Sequence, residues 1–317
     1  MKMHVIEVEG APPASDQPMV LAIGKFDGVH IGHQAILERA KEQQGTQAIL
    51  GVMCFWPHPS WVLARKEGYD RWLTPFEEKV RRLESHGVQR LYHVHFSRAY
   101  ASTTAEEFVH RHLAKLSLTH VVVGFDFRFG KGGVADANKL AALCREVGIP
   151  VTVVNPVEEN GTKVSSSQIR EHLAAGRVEA AEALLGRPYS FVGKVVSGDK
   201  LGRQIGFPTA NLAELDEYVL PGTGVYAVMV EVLGESDDSV RGNWFGVMNA
   251  GYRPTVGGKE FRLEVHLLGF DGDLYGKQLR VSLLRRVRSE KKFQGLEELR
   301  RQIADDVTFS KQMLGLT

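Results

Sequence analysis

The spacing of apolar residues changes near residue 187 of this 317-residue chain. Before that point, short apolar runs alternate with segments of helical spacing, which is typical of a parallel sheet whose strands are joined by helices. After it, one short apolar run follows another across glycine-rich turns, which predicts an antiparallel sheet closed into a barrel. We therefore predict two domains, an α/β domain over residues 1–186 and a β-barrel domain over residues 187–317.

The same spacing predicts where the individual elements lie. The strands predicted for the first half are 19–23, 47–55, 90–94, 120–124 and 150–154. The helices predicted there are 33–43, 75–86 after a Thr74 cap, 103–115, 136–147 and 166–174. The strands predicted for the second half are 189–196, 224–233, 243–248, 262–268 and 278–284. A terminal helix at 295–314 is expected to pack on the barrel through Leu296, Leu299, Ile303 and Val307.

Composition excludes several classes of protein. The 39 basic and 38 acidic residues give a net charge of +1, so we expect neither nucleic acid nor a membrane surface as a partner. Small phosphorylated ligands remain compatible with this balance. The two cysteines, Cys54 and Cys144, lie in apolar surroundings, which argues against a disulfide framework and against a zinc site. With no apolar signal core and no run of about 18 apolar residues, the sequence predicts a cytoplasmic protein.

Residues 24–33, with the sequence GKFDGVHIGH, lie between an apolar strand and a helical pattern. Backbone N–H groups at the start of a helix point toward anions, and phosphate is the natural ligand there. His30 and His33 could donate hydrogen bonds to an α-phosphate whose negative charge grows as pyrophosphate leaves. The simpler alternative is that both histidines only complete a loop. The ten-residue context favours an ATP site that supports adenylylation.

Four segments of the first half form a spaced set: 24–33, 55–59 (FWPHP), 124–130 (GFDFRFG) and 164–170 (VSSSQIR). Together they resemble the adenylyltransferase module of the bacterial bifunctional riboflavin kinase/FAD synthetase family, and the resemblance spans nearly the whole chain. It implies a Rossmann-like nucleotidyltransferase domain with a parallel sheet. It also implies that an antiparallel riboflavin kinase barrel with a terminal helix follows.

The resemblance implies site residues for adenylylation, with His30 and His33 as the catalytic pair. Implied ATP contacts are Gly24, Phe26, Asp27, Gly28, His30, His33, Ser165, Ser166, Ser167 and Arg170. Implied flavin contacts are Phe55, Pro57, Asp126 and Phe129. The serine run also has the composition of an ordinary helix cap, and the phenylalanines at 125, 127 and 129 are typical of a core. Ser167 replaces the family's usual threonine, and Ala135 replaces a glycine, which weakens Asp136 as a ligand.

Residues 193–211 combine a glycine-rich stretch with the sequence FPTAN. Glycines let a backbone close over phosphates, but the ending of a P-loop is absent, so spacing alone leaves a hairpin as the alternative. FPTAN matches the riboflavin kinase signature, and the resemblance implies that Thr209 and Asn211 hold Mg²⁺, which prefers oxygen ligands. Implied ATP contacts of the kinase are Gly193, Lys200, Gly202, Gly206, Thr209 and Asn211.

Glu264 lies in a predicted strand of the second half. A kinase needs a group that orients and deprotonates the attacking hydroxyl, and family matching assigns this role to Glu264. An ordinary solvated strand face is the alternative. Implied flavin contacts of the kinase are Asn249, Arg253, Arg288 and Phe293, with turn architecture as the alternative for residues 246–255.

The resemblance implies an ATP-dependent enzyme that phosphorylates riboflavin to FMN and then adenylates FMN to FAD, releasing pyrophosphate. Its substrates would be ATP, riboflavin and FMN, Mg²⁺ would be required, and no redox cofactor would be needed. One alternative is an adenylyltransferase with a single activity toward another phosphorylated vitamin. Another is a flavin-binding regulator without catalysis. The sequence leaves oligomerisation open.

Overall fold

A parallel sheet of six strands forms the centre of the first compact unit, residues Met1–Ser166. The computed structural model describes residues 2–198, 201–234, 240–255 and 258–316. In chain order the strands of this unit are β1 (His4–Val8), β2 (Ser15–Ile23), β3 (Ile49–Trp56), β4 (Arg90–His95), β5 (Leu116–Gly124), β6 (Arg128–Phe129), β7 (Ala135–Asp136), β8 (Val151–Val154), β9 (Glu158–Glu159) and β10 (Thr162–Lys163). The sheet has the order β1-β4-β3-β2-β5-β8, and β6–β7 and β9–β10 form two small antiparallel pairs. The predicted parallel sheet is confirmed.

The α-helices of this unit are α1 (Ile31–Glu42), α2 (Pro59–Ala64), α3 (Phe76–Ser85), α4 (Ala105–Glu107) and α5 (Ala137–Glu146). The prediction of one continuous helix over 103–115 is wrong. After α4, the chain forms a π-helical turn at Phe108–His112 and a 3₁₀ turn at Leu113–Lys115. A π turn is wider than an α turn. It brings Phe108 and Leu113, five residues apart, into the same apolar cluster.

Alternate residues of β2 face two apolar clusters on opposite sides of the sheet. Met19, Leu21 and Ile23 belong to one cluster, whereas Val20 and Ala22 belong to the other, and all five are at most 1% exposed. A parallel sheet is covered on both faces, which explains why residues 19–23 are apolar without interruption. Each fully buried large side chain contributes about 1.5–3 kcal/mol to folding. The loop after β2 therefore starts from a firmly packed strand.

A closed antiparallel barrel forms the centre of the second unit, Ser167–Thr317. The strands of the barrel are β11 (Tyr189–Val196), β12 (Ala210–Ala213), β13 (Gly224–Leu233), β14 (Val240–Thr255), β15 (Gly258–Leu267) and β16 (Gln278–Arg288). The helices are α6 (Ser166–Ala174), α7 (Val178–Leu185), α8 (Leu201–Gln204) and α9 (Leu296–Met313). The barrel order is β11-β12-β15-β14-β13-β16, and β16 pairs with β11 to close it. The predicted barrel and its terminal helix are confirmed.

The turn between α6 and α7 is attached to the barrel. The Arg286 guanidinium donates hydrogen bonds to the carbonyl oxygens of Ala175 and Thr223, and the Arg286 backbone N–H donates to the Glu179 carboxylate at 3.0 Å. These contacts group α6 and α7 with the barrel, so the structural division falls at residue 166. The domain boundary placed after residue 186 stays a prediction. Spacing did not predict β1, β12, α2 or α7, which are short elements.

The terminal helix α9 contacts β14 and β16 of the barrel as predicted, but its most buried residues are polar. Asp306 is 4% exposed and accepts hydrogen bonds from Nε and Nη2 of Arg288, both at 2.8 Å. Leu296 was expected to pack on the barrel, yet it is 50% exposed. The apolar spacing thus identified the helix, whereas a bidentate ion pair anchors it.

Asp306→Ala should lower the free energy of unfolding of the second unit by about 2–4 kcal/mol, because Arg288 would lose its partner in a partly buried site. Asp305→Ala on the same helix is the matched control, because Asp305 is exposed, and it should change stability by less than about 0.5 kcal/mol. Native-state hydrogen exchange of barrel amides measures this unit separately. Equal effects of the two substitutions would show that the ion pair does not anchor α9.

Candidate active sites

The loop of residues 24–29 leaves β2 with a strained backbone. Phe26 has a φ of 50° and Val29 a φ of 40°, although neither is glycine, and Gly28 has a φ of 87°. Such left-handed conformations persist only where the surroundings hold them in place. Here the side chains of Phe26 and Val29 are fully buried in the apolar cluster that includes the inner face of α1. Core packing therefore determines the path of the loop into α1.

The Asp27 carboxylate ties this loop to the start of α3. Its Oδ1 accepts hydrogen bonds from the backbone N–H groups of Leu73 at 2.9 Å and Thr74 at 3.3 Å. Thr74 Oγ1 accepts a further hydrogen bond from the Gly28 N–H at 2.9 Å. The prediction that Thr74 caps the helix is wrong, because Pro75 occupies the cap position and the Thr74 hydroxyl is used by the loop. The contact of Asp27 with ATP stays a prediction.

His30 and His33 stack against each other at the start of α1. Their ring centroids lie 3.7 Å apart, with an angle of 18° between the planes. His30 is the cap residue of α1, and its Nδ1 accepts a hydrogen bond from the His33 backbone N–H at 3.3 Å. A ring nitrogen that accepts carries no proton, so a neutral His30 has its N–H at Nε2. The structure thus brings the two predicted residues together at a helix start, where anions bind.

The pKa of His33 lies well below its usual value. Desolvation by burial is the largest cause, and His30 when protonated, together with Lys79 and Lys25, lowers this pKa further. The buried Nδ1 of His33 makes no hydrogen bond to any residue within the described ranges. His33 is therefore a neutral imidazole at neutral pH, surrounded by positive groups. Such surroundings favour a polyanionic ligand.

The predicted serine run contributes one clear contact to this loop. Ser166 Oγ donates a hydrogen bond to the Asp27 carbonyl oxygen at 2.8 Å. This hydrogen bond gives the loop a further attachment besides those of Asp27 and Thr74. Ser167 and Arg170 lie on α6, past the division of the chain at residue 166. The contacts of Ser165, Ser167 and Arg170 with ATP stay predictions.

Aromatic side chains cluster beyond the carboxyl end of β3. Phe55 is half-buried, and its ring centroid lies 6.2 Å from that of Phe96 and 6.1 Å from that of Tyr100. Burial raises the pKa of Tyr100, whose hydroxyl lies 3.2 Å from Nδ1 of His112. A planar isoalloxazine needs an apolar surface of this kind. Phe96 and Tyr100 follow β4 with no motif to mark them, and flavin contact by Phe55 stays a prediction.

The segment after β5 is divided between core and surface. Phe129 is 8% exposed and stacks on Phe127 at 5.5 Å between ring centroids, whereas Phe125 is 41% exposed. Asp126 is exposed and forms an ion pair with Lys163. These positions give Phe129 a core role, and flavin contacts of Phe129, Asp126 and Pro57 stay predictions. Asp136 accepts a hydrogen bond from the Lys139 N–H as the cap of α5.

In the second unit, the glycine-rich segment lies close to Thr209 and Asn211. A Cβ added at Gly198 would lie 2.2 Å from Asn211 Nδ2, and one added at Gly202 would lie 2.3 Å from the Phe207 carbonyl oxygen and 3.3 Å from Thr209 Oγ1. At Gly202, where the neighbouring atom is a backbone oxygen, only glycine permits the approach, whereas at Gly198 a Cβ would force the Asn211 side chain to move. The backbone therefore closes over the two predicted metal ligands.

The other two glycines predicted to contact ATP lie outside the contact of Gly198 and Gly202 with Asn211 and Thr209. Gly193 is a paired residue within β11, opposite Leu279, and Gly206 is exposed before FPTAN. Lys200, the remaining ATP contact predicted for the kinase, lies outside the described residues. The ATP contacts of all three stay predictions.

Strand register places Glu264 between two predicted ligands. It lies opposite Asn211 on β12 and opposite Asn249 on β14. Its side chain is 15% exposed, and its Oε1 accepts a hydrogen bond from Arg253 Nη2 at 2.7 Å. His266 lies on the same strand but contacts a different partner, with its Nδ1 2.8 Å from the Pro208 carbonyl oxygen. Three strands thus assemble a polar row from residues that are far apart in sequence.

The residues predicted for the flavin side of the kinase lie after β16 and on β14. The Arg288 guanidinium, held by Asp306, has its Cζ 5.7 Å from the centroid of the Phe293 ring. Sequence reasoning missed Asp306, because an acidic residue on a helix usually faces solvent. The flavin contacts of Arg288, Phe293, Asn249 and Arg253 stay predictions.

Comparison with known proteins identifies the family of this chain. The FAD synthetase family model matches residues 13–168, and the Riboflavin kinase family model matches residues 185–314. The chain is 41% identical over 308 residues to the bifunctional riboflavin kinase/FMN adenylyltransferase of Bacillus subtilis. The matched region covers 96% of this chain and 93% of that protein. It belongs to the bifunctional riboflavin kinase/FMN adenylyltransferase family.

A further relative and a solved structure are also similar to this chain. The riboflavin kinase/FMN adenylyltransferase of Escherichia coli strain K12 is 42% identical over 306 residues, covering 96% of this chain and 95% of that protein. A crystal structure from Streptococcus pneumoniae, described as a macrolide-efflux protein, is similar to this chain with a TM-score of 0.88 at 33% sequence identity. The superposition covers 98% of this chain and 99% of that chain. No helix within the described part of this chain is long and apolar enough to cross a membrane.

Asp27→Ala should destabilise the first unit by about 2–4 kcal/mol, because the N–H groups of Leu73 and Thr74 would lose their buried acceptor. Asp27→Asn keeps an oxygen acceptor and should lose less than half as much. Hydrogen exchange of β2 and β3 amides measures this stability. An Asn variant as unstable as the Ala variant would contradict the role assigned to Oδ1.

Proposed function

We propose that the chain phosphorylates riboflavin to FMN in its second unit and adenylates FMN to FAD in its first. The observation that carries the proposal is that each of the two regions matched by a family model contains its own cluster of polar side chains. The stacked histidines at the start of α1 lie within the FAD synthetase match, and the row around Glu264 lies within the Riboflavin kinase match. ATP, riboflavin and FMN would be the small-molecule ligands.

Adenylyl transfer needs no covalent intermediate with the protein. A phosphate oxygen of FMN would attack the α-phosphorus of ATP, forming the new P–O bond as the bond to pyrophosphate breaks. Catalysis would then consist of positioning and charge stabilisation. The N–H groups at the start of α1 and the imidazoles of His30 and His33 would donate hydrogen bonds to the phosphates. The fixed loop of residues 24–29 would hold these donors in place.

Phosphoryl transfer in the barrel needs a proton acceptor. A hydroxyl oxygen of riboflavin would attack the γ-phosphorus of ATP, the bond to ADP would break, and the hydroxyl proton would pass to the Glu264 carboxylate. Arg253 holds one oxygen of this carboxylate. Oε2 makes no hydrogen bond to a residue in the described parts of the chain, so it is the oxygen available for the substrate hydroxyl.

The donors near Glu264 suit Mg²⁺. The side-chain oxygens of Thr209 and Asn211 are hard, neutral donors, and Mg²⁺ usually binds to few protein groups while retaining water and phosphate ligands. No group of three or more His, Cys, Asp or Glu residues is arranged to hold a metal within the residues that the structure describes. Thr209 and Asn211 would therefore hold the ion together with ATP, and the ion would neutralise charge on the transferred phosphate.

One incubation distinguishes this function from the two alternatives. Purified protein with riboflavin, ATP and Mg²⁺ should form FMN first and FAD afterwards, which chromatography with fluorescence detection resolves. An adenylyltransferase for another vitamin would leave riboflavin unchanged, and a regulator would bind flavin without forming a product. The cytoplasmic location stays a prediction.

Glu264→Gln should reduce FMN formation from riboflavin by roughly 10²–10⁴-fold, because the amide cannot accept the hydroxyl proton. FAD formation from supplied FMN should be unchanged, because that reaction belongs to the first unit. Steady-state rates of both reactions on one preparation provide the measurement. Wild-type FMN formation by the variant would eliminate Glu264 as the base.

His33→Ala should have the opposite selectivity. Loss of one hydrogen-bond donor to the developing charge should reduce FAD formation from FMN by about 10²–10³-fold. FMN formation from riboflavin should continue at the parental rate. Parallel loss of both activities in a folded variant would contradict the assignment of each reaction to its own unit.

A further inference from the structure

A lysine ammonium is buried beside the loop of residues 24–29. Lys79 on α3 is 2% exposed. Its Nζ donates a hydrogen bond to the Lys25 carbonyl oxygen at 3.3 Å and lies 4.4 Å from the centroid of the Trp72 ring. No carboxylate in the described ranges forms an ion pair with it. Burial of an ammonium costs several kcal/mol unless it is compensated, so this position calls for a functional explanation.

Ordinary packing does not explain this lysine. Lys79 lies four residues before the fully buried Leu83, on the core-facing side of α3, where an apolar side chain would be more stable. Lysines at such positions usually extend the ammonium to water and bury only the methylene groups. Here the ammonium itself is enclosed and contacts a carbonyl oxygen and an indole ring. A cation–π contact contributes only about 0.5–2 kcal/mol, less than the cost of desolvation.

The charge of Lys79 acts on the groups around the loop. Burial lowers the pKa of His33 and of His93 and raises the pKa of the Cys54 thiol, and the positive charge of Lys79 acts to lower all three. Glu7 opposes Lys79 at Cys54 and His93. The other charged groups that act on His33 are His30, which stacks on it, and Lys25 in the same loop. All three neighbours of His33 are therefore positive or capable of becoming positive. A polyanion bound at the start of α1 would compensate this group of charges.

We propose that Lys79 is a positioning residue for adenylyl transfer, which holds the loop of residues 24–29 through the Lys25 carbonyl and places a buried positive charge beside the His30–His33 stack. The inference rests on the proposed adenylyltransferase function of the first unit. Lys79 joins Asp27 and Thr74 in fixing this loop from α3 and the residues before it. Unlike them, it also supplies charge that favours the triphosphate of ATP.

Two substitutions separate charge from hydrogen bonding. Lys79→Met removes the charge and the donor at similar length, whereas Lys79→Gln removes the charge and retains an N–H donor. Lys41→Met is the matched control, because the Lys41 side chain on α1 is 35% exposed and, among the described residues, its ion pair is with the exposed Glu38. In the FAD reaction, both Lys79 variants should raise the KM for ATP by roughly tenfold, and the control should not change it. FMN formation from riboflavin should remain at the parental rate in all three.

The pH dependence gives a readout that a purely structural role would not change. Lys79 lowers the pKa of His33, so its removal should raise that pKa. The acid-side fall of kcat/KM for ATP in the FAD reaction should then move to higher pH. NMR titration of labelled histidines in the ATP-free protein, with His33→Gln used to assign the His33 signal, should show the same shift. Lys41→Met should titrate like the parent.

Each outcome decides the inference. An unchanged His33 titration and an unchanged KM for ATP in both Lys79 variants would overturn it. If both variants lose hydrogen-exchange protection throughout β2 and β3, Lys79 is a folding residue and the proposal is wrong. If the parent forms no FAD, the proposed function fails, whereas the His33 titration still reports separately on the charge effect of Lys79.

Discussion

The buried Asp27 carboxylate is the contact on which the first active site depends. It joins the loop after β2 to backbone N–H groups that lie 46 and 47 residues further along the chain. The left-handed conformations of Phe26 and Val29 cost about 1–3 kcal/mol each, and they persist only because the loop is held by packing and by such a link. With it, α1 starts at a fixed place, and its cap residue His30 stacks on His33. The geometry of the histidines is therefore a consequence of long-range packing.

The second site depends on strand register in the barrel. Because Asn211, Glu264 and Asn249 lie opposite one another on three adjacent strands, their side chains share one face. A slip of one residue would turn Glu264 into the core and Val265 outward. Leu263 and Val265 are at most 1% exposed, and their burial opposes that slip. The apolar core on one side of β15 thus fixes the position of the proposed base on the other.

Local patterns predicted the architecture and the sequence motifs, but not the contacts between distant segments. The alternation of short apolar runs with segments of helical spacing predicted the parallel sheet, and the motif of residues 24–33 predicted His30 and His33 together at the start of a helix. The hydrogen bonds of Asp27 with Leu73 and Thr74 have no local signal, so Thr74 was read as a cap. Lys79 could have been noticed as a charged residue at a core-facing position of α3, four residues before Leu83.

The π turn at 108–112 and the burial of Asp306 also escaped prediction for physical reasons. Helical spacing does not distinguish α from π hydrogen bonding within a few residues, and an aspartate is normally placed in solvent. Both features depend on partners elsewhere in the fold.

The fate of two ATP phosphorus atoms tests the central claim most directly. Purified protein is incubated with riboflavin, Mg²⁺ and ATP labelled at either the α- or the γ-phosphorus, and the FAD formed is cleaved at its pyrophosphate link. The account predicts γ-label only in the FMN half and α-label only in the AMP half. Absence of γ-label from the FMN half, or of α-label from the AMP half, would contradict sequential phosphoryl and adenylyl transfer by this chain.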